Sequence, residues 1–124
     1  MIKFHPVARK NPTTKAIKYY PAVAKTQPVD LVDVATDITA FCTVTEPDVI
    51  AVLRALQKVM YNHLSQGHSV RLGAVGSFRI TLKSLKGQDS ADKVTADDIR
   101  SARFVYTPSA WLQRQRAALK YAKE

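Results

Sequence analysis

Four polar side chains fall at spacings suited to holding phosphate oxygens. Arg79, Thr81 and Lys83 alternate with Phe78, Ile80 and Leu82, the period of a strand with one apolar and one basic face. Shortly upstream, Val70 and Leu72 alternate with Ser69 and Arg71, which adds a second strand. Charged donors and a hydroxyl repeated along one face bind anions, and they carry no nucleophile or proton shuttle. No other constellation offers chemistry. His5, His63 and His68 lack a cysteine or carboxylate at a ligand spacing, so no metal is expected. Ser65, Ser69 and Ser77 lack the elbow that exposes a nucleophile. Gly73-x-x-Gly76 is too short for a phosphate loop and lacks the following Lys-Ser/Thr. The carboxylates near residues 30 and 97 are explained by helix capping. No catalytic residue, cofactor site or small-molecule substrate is expected.

The anion is identified by charge. The chain has 124 residues, enough for one domain, and a net charge of +9. Such an excess opposes compaction unless a polyanion neutralises it, so nucleic acid is the first partner to consider. The charge is also segregated. Residues 1–29 carry Lys3, Arg9, Lys10, Lys15, Lys18 and Lys25 and no acid. Asp30, Asp33, Asp37, Glu46 and Asp48 form an acidic stretch, residues 49–88 are purely basic again, and Asp89 to Asp98 are acidic. Each cluster taken alone also fits a solvated face. Cys42, the single cysteine, permits no internal disulfide and is expected as a small core residue. No long apolar run or signal peptide is visible, which points to a cytoplasmic protein that does not enter a membrane.

These side chains need a scaffold, and the pattern predicts one. Met1–Val7 and Ala16–Ala24 are strand-like around an Asn11-Pro12 turn, which predicts a docked strand pair. Residues 29–41 place Leu31, Val34, Ala35, Ile38 and Phe41 at helical spacing after Pro28. Thr45-Glu46-Pro47-Asp48 predicts a capping box for a second helix through Ile50, Leu53, Leu56, Val59, Met60 and Leu64, stopped by Gly67. Gly73 and Gly76 predict a tight reversal between the two strands. Thr95-Ala96-Asp97-Asp98 predicts a second cap and a helix of one or two turns, Phe104–Tyr106 a short strand, and Pro108-Ser109 the opening of a last helix holding Trp111, Leu112, Ala118, Leu119 and Tyr121.

The order of these pieces resembles the HU/IHF family of bacterial DNA-bending proteins. The resemblance rests on Asp30-Leu31-Val32-Asp33, Thr45, Leu53 to Leu64, Gly67-His68-Ser69-Val70-Arg71-Leu72, Gly76-Ser77-Phe78, and Phe104-Val105-Tyr106-Thr107-Pro108-Ser109 with Leu112. It covers residues 29–120, and the basic extension before Asp30 is similar to the HU-related, Bacteroidetes-type branch. The resemblance implies an α+β fold: an intertwined homodimer with a two-helix base, a small antiparallel sheet with a hairpin arm, and a C-terminal helix. It divides the chain into a strand-forming N-terminal extension, 1–28, and a DNA-binding domain, 29–124. It implies a nucleoid-associated, architectural binder of double-stranded DNA with little sequence selectivity. Arg71, Arg79, Thr81, Lys83 and Lys86 are the expected phosphate ligands.

One departure stands out. The family's arm tip carries Arg-Asn-Pro, whose proline wedges between base pairs, whereas residues 83–102 contain no proline and include Asp89, Asp92, Asp97 and Asp98. Leu85 could serve there as an apolar wedge, or be a buried or simply exposed leucine. Lys3, Arg9, Lys10, Lys15 and Lys18 of the extension are expected to supply contacts in place of the arm. The departure also keeps a second reading open, a protein-interaction or structural module on the same fold. A third, a single-strand or RNA binder, rests on Tyr19, Tyr20 and Tyr106 as stacking platforms.

Overall fold

The computed structural model describes residues 1–124. The fold is mixed α+β and divides into two units: Met1–Asp30 with Gln115–Glu124, and Leu31–Arg114. No helix is long and apolar enough to cross a membrane.

In the first unit, β1 (Ile2–Lys10) pairs antiparallel with β2 (Ile17–Val23). Pro6 and Pro21 oppose each other across this ladder. Prolines cannot donate to a ladder, and β1 tolerates one because its other edge is paired only at Ile2–Phe4. That edge holds a strand absent from the sequence expectations, β6 (Tyr121–Lys123), which runs parallel to β1 and gives the order β2-β1-β6. Ile2 N–H donates to Lys120 O at 2.8 Å, and Glu124 N–H to Phe4 O at 2.9 Å. The expected last helix is accordingly shorter. It covers Ala110–Gln115 (α3), passes through a 3-10 turn at Arg116–Ala118, and gives way to extended chain. Tyr121 lies in a strand, and Arg114 is the basic residue of the helix's last turn.

In the second unit, α1 (Leu31–Ile38) stops three residues before its expected end. Ala40 and Phe41 N–H turn to carbonyls three residues back, at 3.2 and 2.9 Å, tightening the last turn as helix ends commonly do. Phe41 is left 90% exposed, and Cys42 is exposed as well, not buried as expected. α2 (Glu46–Ser65) begins where the sequence places it, with Pro47 in the first turn. The Thr45 hydroxyl donates to the Asp48 carboxylate at 2.8 Å instead of accepting a backbone N–H, so the reciprocal box does not form. The far end is a Schellman stop. His68 N–H reaches His63 O at 3.0 Å and Gly67 N–H reaches Leu64 O at 3.0 Å, with Gly67 at φ +82°. Val49 and Leu64 of α2 and Ala35 of α1 are buried, while Val59, expected in the apolar stripe, is half exposed.

After Gly67 come β3 (Val70–Arg71), a 3-10 turn at Gly73–Val75, β4 (Gly76–Ser84) and β5 (Ile99–Pro108), joined in the order β3-β4-β5. Leu72 N–H donates to Gly76 O at 2.9 Å and closes the reversal. The expected helix after Thr95 is a single 3-10 turn, Ala96–Asp98. The return strand is intact and longer than the three residues expected, because it pairs along the whole of β4. Tyr106 fixes this corner: its ring packs on Phe78 with centroids 5.1 Å apart, and its hydroxyl donates to Val75 O at 2.7 Å. Ser109 adds a second tie. Its hydroxyl donates to Ala74 O at 2.6 Å and accepts from Leu112 N–H at 3.1 Å, capping α3.

Candidate functional site

Register decides which side chains share a face, because directly opposed residues of antiparallel strands project to the same side. The pairs Arg71 with Ser77, Ser77 with Thr107, Arg79 with Val105, Thr81 with Arg103, and Lys83 with Ser101 gather one face of the β3-β4-β5 sheet. Phe78, Ile80, Leu82, Ala102, Phe104 and Tyr106 gather on the other. The first face carries Arg71, Arg79, Lys83 and Arg103, all exposed, with hydroxyls from Ser77, Thr81, Ser101 and Thr107 between them. Neither β4 nor β5 contains a carboxylate.

Arg103 went unseen in the sequence because the strand was expected only from Phe104. The alternation Ser101, Arg103, Val105, Thr107 against Ala102, Phe104, Tyr106 was the signal that could have found it. Arg103 stands directly across from Thr81, so its diagonal neighbours are Arg79 and Lys83, about 7–8 Å away in an antiparallel sheet. Arg79 and Lys83 are about 13–14 Å apart along β4 at ~3.4 Å per residue. Three cations so placed repel one another, and a row of bound anions removes that cost. Lys86 lies past the end of β4, exposed in the connecting loop.

That loop is organised by an acid. Asp98 Oδ2 accepts from Thr95 N–H at 2.9 Å and Oδ1 from Gln88 Nε2 at 2.7 Å. The backbone bond from Thr95, then the bond from Gln88, hold the Asp98 carboxyl below the usual carboxylate range. A carboxyl with a depressed folded pKa stabilises its loop above its ordinary pKa, and the contribution disappears as pH falls through the folded value. The Thr95 amide is therefore expected to be protected from hydrogen exchange at neutral pH and to lose protection at the acid end of a titration. In Asp98→Ala the protection should be absent at every pH, and exchange followed by NMR checks both.

The remaining expected ligands belong to the first unit. Lys3 and Arg9 in β1 share a face with Lys18, which opposes Arg9 directly, whereas Lys10 projects to the other side and Lys15 sits in the β1–β2 turn. The Arg9 guanidinium carbon lies 5.5 Å from the centre of the Tyr20 ring. Apart from Lys10, the opposite face of the β1–β2 pair is apolar. Ile2, Phe4, Pro6, Tyr19, Pro21, Val23 and Tyr121 line a groove of about 630 Å³ there. The imidazoles of His63 and His68 come within 5.8 Å, but no third His, Cys, Asp or Glu joins them as a metal site requires. Tyr106, one of three tyrosines considered as stacking platforms, is engaged with Phe78 and Val75.

A family model described as an HU domain fused to a wHTH, Ig or glycine-rich motif matches residues 1–123. No curated protein matches the chain significantly. Among solved structures, a Bacteroides vulgatus protein provisionally described as a bacterial DNA-binding protein is similar, with a TM-score of 0.69 and 14% identity. The similarity takes in 98% of this chain and 47% of that one, so the chain spans about half the length of its structural relative.

Proposed function

The chain belongs to the HU-HIG family, a group built on an HU domain, and from that premise we propose that it is an architectural double-stranded DNA-binding protein, non-enzymatic, acting as a homodimer with little sequence selectivity. The observation that carries the proposal is the acid-free face of the β3-β4-β5 sheet. Arg79, Arg103, Lys83 and Arg71 meet phosphates there, and Thr81 adds a hydroxyl. Contacts of this kind position a duplex by charge and leave sequence largely unread, so bendable or already bent DNA is preferred. Residues 1–28 act as a basic extension to the DNA-binding domain of residues 29–124. Its Lys3, Arg9, Lys10, Lys15 and Lys18 add phosphate contacts, as Lys86 does from the loop.

The dimer is supported by what a single chain leaves uncovered. In the second unit only Ala35, Val49 and Leu64 are buried hydrophobics, while Phe104 is 62% exposed on the apolar side of the sheet and Val32 and Phe41 are exposed around α1. Surfaces of this kind mark an interface, and a second copy bringing the same patches covers them by an isologous contact.

Titrating the protein into linear, nicked and four-way-junction DNA across a salt series tests the function. For six to ten phosphates, affinity should fall by about 10³–10⁵ between 50 and 200 mM salt, with the distorted DNAs bound most tightly. Sedimentation should give twice the chain mass of 13.8 kDa. Salt-independent binding, no binding at low salt, or a monomer at micromolar concentration contradicts the proposal. A second reading, a protein-interaction module, draws on the acidic loop of Asp89, Asp92, Asp97 and Asp98, which repels phosphate. Displacement of the chain from DNA by an acidic protein would favour it.

A further inference from the structure

We infer that the β1–β2 hairpin is a second DNA-gripping arm, which enters the minor groove with Pro12 at its leading end. The inference rests on the duplex-binding reading above and adds a site and a mode of contact to it. Three observations support it, the first of them electrostatic. Arg9 and Lys18 face each other directly across the ladder, and like charges so placed destabilise a strand pair. Lys10 and Lys15 flank them, and no acid occurs anywhere in residues 1–29. Phosphates on the two walls of a groove would turn this repulsion into attraction.

The second observation is that the tip is pre-shaped. Asn11 N–H donates to Ala16 O at 3.0 Å and Lys15 N–H to Asn11 O at 2.8 Å. The Asn11 side-chain oxygen accepts from Thr13 N–H at 2.8 Å. Lys15 is held at φ 60°, an uncommon conformation for a non-glycine residue. A tip fixed in this way loses little freedom on docking. The third is the composition of the end itself. Pro12 is exposed and apolar, it has no N–H to satisfy, and cations stand behind it on both strands. Proteins that bend DNA from the minor groove press apolar side chains, proline among them, against a base step while arginine and lysine hold the backbone.

The test uses the full chain and a duplex carrying 2-aminopurine at a flexible TA step, whose fluorescence rises when the base unstacks. The wild-type protein should raise the signal severalfold. Pro12→Ala, added at a concentration that saturates the duplex, should lose most of the rise. The Arg9→Ala/Lys18→Ala pair should flatten the plot of log affinity against log salt by about 3.6 per dimer, the release expected for two phosphates on each protomer. The hairpin inference fails if wild type binds the duplex without unstacking, if Pro12→Ala unstacks as well as wild type does, or if the double variant keeps the wild-type slope. In each case DNA binding by the sheet face still stands. If wild type binds no duplex at low salt, the underlying reading falls and the arm falls with it.

Discussion

Replacing Arg79 and Arg103 together by alanine should weaken duplex binding at least a hundredfold at low salt, with little change in thermal stability. A hydrogen bond to a charged group contributes about 1.5–3 kcal/mol, and two partly exposed contacts at the low end of that range give ~3 kcal/mol, or about two powers of ten, for each protomer on the duplex. The salt slope should fall by about 3.6 per dimer, because two phosphate contacts are lost on each protomer. The stability readout separates lost binding from lost folding. The two arginines are diagonal neighbours on one exposed face, so their removal relieves repulsion, and the melting temperature should hold or rise slightly. Arg103→Ala alone is the sharper single variant, because it tests a residue placed on this face only by the register. Filter binding over a salt series, beside a thermal melt at the same protein concentration, measures both. Full-strength binding by the double variant would show that the face is not the DNA contact.

Gly76→Val should cost more folding stability than any other glycine substitution in the chain, about 3 kcal/mol or more. A Cβ at this position would lie 2.5 Å from Thr107 O and 2.8 Å from the Tyr106 ring. The backbone oxygen belongs to the neighbouring strand and cannot swing aside, and φ +131° suits only glycine, itself worth about 1–3 kcal/mol of strain. Gly67 provides the control. It also has positive φ, but a Cβ there meets nothing within 4 Å, so Gly67→Ala should cost only about 1–2 kcal/mol. Denaturant melts at matched concentration should rank the two variants in that order, and similar midpoints would mean that the close approach at Gly76 relaxes easily.

These two glycines also mark how far the sequence could be read. Where a residue's own backbone preference decides the structure, the reading held: Gly67 ends α2, the Gly73–Gly76 segment reverses the chain, and Thr45 precedes a helix. The strand alternation around Phe78 likewise separated the basic residues from the apolar ones. Where partners distant in sequence decide, it did not. Ser101, Ala102 and Arg103 have little strand preference of their own and become β5 because β4 supplies their hydrogen bonds. Gln115 to Lys123 are composed like a helix, yet pairing with Ile2–Phe4 draws Tyr121–Lys123 into a strand. Arg103 was missed for the first of these reasons.

The parallel rung between Ile2–Phe4 and Tyr121–Lys123 has a consequence for how the protein is made. A ribosome makes Ile2–Phe4 long before it makes Tyr121–Lys123. β1 can fold back on β2 early, but its other edge stays open until Tyr121–Lys123 have been made. Unpaired strand edges recruit other chains, and the basic, acid-free composition of the first 29 residues supplies mutual repulsion that keeps nascent copies apart during the wait.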